Sequence, residues 1–72
     1  MEEMIIADNE NLVLREIEAV GGSANAVLIS YKLNLNPIEY VNYLCKRLQH
    51  MGYLEKVSSG RHPVYRIKPK EG

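Results

Sequence analysis

The feature that most constrains this chain is an apolar stripe in its second half. Within NPIEYVNYLCKRLQHMGYLEKV, Asn36 to Val57, the residues Val41, Leu44, Cys45, Leu48 and Met51 recur at steps of three and four. On a helix turning about 100° per residue these positions share one face, so the spacing predicts a helix of about four turns with that face buried. Its flanks suggest its limits. Asn36 offers a side-chain oxygen as a cap, Pro37 suits a first turn whose amide hydrogens have no partner, and Glu39 follows as in a capping box. Gly52 supplies backbone that enters the left-handed region, and Tyr53 to Val57 has strand-like composition.

Opposite the stripe lie Glu39, Asn42, Tyr43, Lys46 and His50, with Tyr40 and Arg47 at its edge. Such a surface is rich in donors suited to phosphates and base edges in a DNA major groove. Every helix of a small soluble domain has a polar face, so this helix alone leaves DNA contact and plain solvation both open.

The preceding residues read as two shorter helices. Met4 to Ala7 is a brief apolar run in an arm over residues 1–7. Asp8 or Asn9 is expected to cap a first helix through Val20, with Leu14 and Ile17 inward, Val13 and Val20 beside them, and Glu10, Arg15, Glu16 and Glu18 outward. Gly21-Gly22 stops it. Ser23 or Asn25 is expected to cap a second helix through about Leu33, on which Ala26, Ile29, Ser30 and Leu33 share a face. Asn34, one of the few non-glycine residues that tolerates positive φ, and Leu35 form the turn into the third helix. Two helices joined so closely suggest a helix-turn-helix.

After Gly52 the period becomes extended. Tyr53 to Val57 and Val64 to Lys68 are strand-sized runs joined by Ser58-Ser59-Gly60-Arg61-His62, and they are expected to pair as a two-stranded antiparallel hairpin. Alternation in the second run turns Tyr65 and Ile67 to the helices and Arg66 to solvent. Pro69 lacks the amide to continue a ladder, so residues 69–72 read as a flexible tail.

Length and charge narrow the function. Seventy-two residues make a single domain, 1–72, near the lower size limit for folding on one core. One cysteine excludes an internal disulfide, and no ligand spacing for a metal is visible, so no metal or other cofactor is expected. The N-terminal apolar run is too short for a signal peptide or a membrane span, and a cytoplasmic location without membrane contact is expected. Net charge is zero but unevenly spread: residues 1–36 carry two cations against six carboxylates, net −4, and residues 37–72 carry seven against three, net +4. That asymmetry points the C-terminal half toward nucleic acid.

The order helix, Gly-Gly break, helix, turn, helix, hairpin resembles the winged helix-turn-helix domain of bacterial and archaeal transcription regulators. Val41, Cys45, Leu48 and Gly52 followed by Tyr53-Leu54-Glu55 carry most of the likeness, and Ile29, Ser30, Leu33 and Leu35 match the family's second helix. Cys45 stands where leucine is usual, and Asn34 where glycine is usual. The resemblance implies an α+β fold of three helices and a C-terminal two-stranded antiparallel wing that binds double-stranded DNA as a transcription regulator. Asn42, Tyr43, Lys46, Arg47 and His50 would face the major groove, and Arg61, His62 and Arg66 would act from the wing. Donors near Ser23 and Asn25 could hold a phosphate, and useful specificity would ordinarily need a homodimer on two half-sites. The small winged-helix proteins associated with ferrous iron uptake are similar in size, but their wing carries several cysteines and Ser58 to His62 carries none.

Other chemistries find little support. Cys45 on the apolar stripe reads as a small buried hydrophobe, and His50 and His62 lack a third ligand at suitable spacing. No phosphate loop, nucleophile elbow or carboxylate pair is present, so no enzyme activity is expected. The remaining alternative is a winged helix used as a protein-interaction or adaptor module, for which Tyr31, Tyr40, Tyr43, Tyr53 and Tyr65 are candidate contacts.

Overall fold

The computed structural model of the protein describes residues 8–69; the arm over 1–7 and residues 70–72 of the tail lie outside the described residues. The chain runs α1 (Asp8–Ala19), β1 (Ser23–Asn25), α2 (Ala26–Leu33), α3 (Ile38–His50), β2 (Leu54–Lys56) and β3 (Val64–Ile67). It is a small α+β fold: each helix packs against the other two, and an antiparallel sheet of order β1-β3-β2 closes one end.

The expected stripe holds the fold together. Val41, Leu44, Cys45 and Leu48 of α3 are all buried, against Val13 and Ile17 of α1 and Ala26 and Ile29 of α2. Removing a leucine-sized side chain such as Leu48 from water contributes about 1.5–3 kcal/mol. Gly52, at φ 91, ends the helical path, and the Tyr53 amide turns back to the Leu48 carbonyl at 2.9 Å. This is the reversed hydrogen-bond pattern that a left-handed residue permits.

The join between α2 and α3 is built from side chains suited to it. Asn34 takes the left-handed conformation at φ 56, and both its amide and that of Leu35 reach the Ser30 carbonyl. The Ser30 hydroxyl donates to the Leu35 carbonyl, which fixes a half-buried Leu35 against the core. At the other end of α2, Asn25 accepts the Leu28 amide at 3.0 Å, so Asn25 is its cap and Ser23 is not.

Several expectations require correction. The sheet has three strands, not two, because Ser23–Asn25 is a strand paired with β3 in the register Ser23↔Arg66, Ala24↔Tyr65, Asn25↔Val64. Ala24 is buried beside Tyr65, so the segment owes its extended form to a distant partner rather than to its own composition. The hairpin itself forms as expected, with Leu54↔Ile67, Glu55↔Arg66 and Lys56↔Tyr65 opposite one another. The third helix does not begin on an Asn36 cap: Pro37 is itself extended at ψ 172, occupies the cap position and makes no side-chain cap bond. Asp8 and Asn9, expected as caps, lie inside the first turn of α1. Glu10, expected in solvent, is buried at 1% exposure.

Candidate nucleic-acid interface

The burial of Glu10 has a partner to account for it. Glu10 follows the same spacing as Val13 and Ile17, so a carboxylate sits on the inward stripe of α1 and needs a compensating cation. Arg47 of α3 supplies it, with Nε donating to Oε2 of Glu10. The Arg47 side chain remains 47% exposed. The Glu10 carboxylate, and next the Tyr43 side chain one turn earlier, hold the guanidinium pKa above its ordinary value. A second bond ties the same two helices: Asn9 donates from Nδ2 to the Tyr40 hydroxyl at 3.0 Å.

The outward face of α3 follows from this docking. Tyr43, Lys46, Arg47 and His50 are exposed, together with Glu39 at the N-terminal end, and Asn42 is half-buried at one margin. The Oδ1 atom of Asn42 is covered and has no hydrogen-bond partner. Only the amide nitrogen of Asn42 therefore remains for a ligand, which rules out the paired donor and acceptor that asparagine uses on adenine.

The sheet carries the other candidates. On its outer face Ser23, Arg66 and Glu55 form one cross-strand row. Arg66 donates to Oε2 of Glu55 through Nε at 2.8 Å and through Nη2 as well, so its guanidinium is turned along the sheet rather than away from it. The β2–β3 loop is closed by the Val57 amide on the Val64 carbonyl at 2.9 Å and the Val64 amide on Ser58 Oγ at 3.0 Å. Arg61 is exposed in this loop, whereas His62 is half-buried with Nδ1 covered and without a partner, leaving Nε2 as its outward atom. Arg47 and Arg66 thus have carboxylate partners within the chain. Lys46, Lys56, Arg61 and Lys68 are the cations of the described C-terminal half outside the ion pairs.

Sequence reasoning missed Glu10 as the buried partner beneath this surface, although its place in the 10, 13, 17 spacing was a usable signal. Tyr31 was named as a candidate protein contact, but the apolar outer face of α2 that it forms with Val27 and Leu28, with Tyr31 at 83% exposure, was missed. The sign there was a helix apolar nearly all round, AVLISYKL.

Elsewhere the surface offers less chemistry. An open cleft of about 740 Å³ lies between α1, the α3–β2 turn and the end of β3, lined mainly by Leu14, Tyr53 and Ile67 with Glu18 and Lys68. None of the eight candidate contact residues lines it. Burial pushes the Cys45 thiol up to about 12, which makes a thiolate nucleophile there unreachable near neutral pH. Among the described residues no group of three or more His, Cys, Asp or Glu is placed to hold a metal, and no helix is long and apolar enough to cross a membrane.

No family model matches the chain, and no curated protein matches it significantly in sequence.

Proposed function

We propose that the protein is a winged helix-turn-helix domain that binds double-stranded DNA and acts in transcription regulation in the cytoplasm. In this reading α3 enters the major groove, and the loop between β2 and β3 is the wing, reaching an adjacent groove or the backbone. The order of elements and the strand order β1-β3-β2 are compatible with it. The observation that carries the reading is the division of α3. Its inner face is buried on the other two helices, while Tyr43, Lys46, Arg47 and His50 present donors to solvent on the opposite side. A single domain offers few such contacts, so a homodimer on two half-sites is part of the proposal.

The test is binding to duplex DNA over a range of salt concentrations. Affinity should fall steeply with salt, and Lys46→Ala and Arg61→Ala should each flatten the slope by about 0.9 for every phosphate that is no longer neutralised. Failure to bind random duplex even at low salt sinks the proposal.

A second reading rests on a different observation. Val27, Leu28 and Tyr31 on α2 form an apolar outward face, which suits a protein partner better than a phosphate backbone. As an adaptor the domain would retain a protein partner after nuclease treatment and lose it on Tyr31→Ser. A partner released by nuclease favours DNA instead.

A further inference from the structure

Among the five candidates on α3, the groups able to make two hydrogen bonds in one plane are few. Lys46 is a point charge, Tyr43 and His50 each offer one outward group at a time, and Asn42 has its acceptor covered. Arg47 differs. It meets Glu10 through Nε, the inner edge of its guanidinium, and not through Nη1 or Nη2. A guanidinium held in this way, with the Tyr43 side chain beside it, still has donors on its terminal pair of nitrogens, the fork that matches two adjacent acceptors such as guanine O6 and N7. Arg66 is held differently: Glu55 engages both its Nε and Nη2 along the sheet, away from the helix proposed to enter the groove.

The anchoring group is also firmly placed. Glu10 is 1% exposed and belongs to α1, whose packing on α3 is reinforced by Asn9 on Tyr40. A carboxylate fixed in this way restricts a side chain that otherwise samples many rotamers, so the ordering entropy is lost on folding instead of on binding. It also cancels much of the field of Arg47, which favours a directional contact over general attraction to phosphate.

We infer that Arg47 reads a base pair, preferring a purine that offers two major-groove acceptors, and that Glu10 is its positioning residue although it lies outside the contact surface. This rests on the DNA-binding reading above. In mechanism, Glu10 forms no contact with DNA; it aims the Arg47 fork, while Lys46 and Arg61 supply the attraction that does not depend on sequence.

The experiment uses the full chain. A preferred duplex is selected from a random library with wild-type protein, and each base pair is then replaced in turn. Glu10→Gln should lose discrimination at one G·C pair by at least about tenfold, the worth of a bidentate contact, without weakening binding to random duplex. Arg47→Lys, which keeps the charge but not the fork, should lose it at the same pair. If Glu10→Gln does not fold, as judged by circular dichroism, Glu10→Asp takes its place, keeping the charge while shortening the reach by one methylene, with the same loss expected. In the free protein, the Arg47 Nε–H resonance should be sharp and slow to exchange, and it should broaden in the Glu10 variant. Discrimination retained by the Glu10 variant, or a mobile Nε–H in wild type, overturns the positioning role while leaving DNA binding standing. Wild-type protein that binds no duplex overturns both, and the resonance then reports the ion pair separately.

Discussion

Arg47→Ala tests the frame of the molecule more than its surface. The substitution removes the Arg47 cation from the Glu10 carboxylate, which is 1% exposed and keeps a further interaction besides this pair. Stripping a fully buried carboxylate of its counter-ion costs about 3–5 kcal/mol, but water reaches the mouth of this site, where the Arg47 side chain is 47% exposed. For Glu10 we therefore expect about 2–3 kcal/mol, the range of a strong hydrogen bond to a charged group. A domain of 72 residues has about 4–11 kcal/mol in total, so the melting temperature should fall by about 10–20 °C. Thermal melts followed by far-ultraviolet circular dichroism measure it, in a cycle with Glu10→Gln and the double variant. Because the glutamine has no charge to strand, the double variant should melt close to Glu10→Gln alone rather than at the sum of the two falls. A fall of less than about 3 °C for Arg47→Ala, with additive shifts, would show that the pair contributes no more than an ordinary surface contact.

Burial that lifts the Cys45 thiol from 9.0 to about 12 means the folded state holds this proton more tightly than the unfolded chain does. The associated stability is fully present below pH 9 and lost as pH rises toward 12; urea midpoints should show about 1.4 kcal/mol lost by pH 10, and Cys45→Ala should flatten that fall. The buried Tyr65 hydroxyl, also raised by burial and then by Cys45, adds to the loss in the same direction at higher pH. Gly52→Ala forces a side chain into φ 91 and should cost about 1–2 kcal/mol by thermal melts, even though open space surrounds the site. Tyr31→Ser should leave stability within about 0.5 kcal/mol and duplex binding unchanged, and a loss of duplex affinity would place α2 in the DNA contact instead.

What could be read from the sequence was what local chemistry alone determines. The α3 stripe needed only the helical repeat, and Gly52 and Asn34 were identifiable because few residues take positive φ. The hairpin was likewise legible from alternation and a glycine-containing loop. Features set by distant partners were not. Ser23-Ala24-Asn25 has no strand-like composition, and its state comes from β3, some 40 residues further on. Pro37 and Glu39 imitate a capped start, yet the extended ψ of Pro37 moves the cap by one residue. On the surface, exposure of Tyr43, Lys46, His50 and Arg61 followed from helix phase and loop position. The Glu10–Arg47 pair required knowing which faces of α1 and α3 meet, and the Glu55–Arg66 pair required the strand register.

The two ion pairs also bound how strongly this neutral chain can respond to salt. The +4 of the C-terminal half overstates its pull on phosphate, because Glu10 comes from the acidic half to meet Arg47 and Glu55 meets Arg66 within the sheet. Among the described residues Lys46, Lys56, Arg61 and Lys68 remain outside those pairs in this half. Lys70, outside the described residues, is a fifth cation of this half. With about 0.9 released counter-ion per neutralised phosphate, five such cations permit a slope of log affinity against log salt no steeper than about −4.5 per protomer. Two protomers on adjoining half-sites would double it, so a slope near about −9 on a selected site, with about half that on a single half-site, would indicate that two copies bind together. A slope steeper than about −5 from one copy on one half-site would mean that cations beyond these five meet phosphate, and if Arg47→Ala flattened it the division of labour between Arg47 and Lys46 would fail.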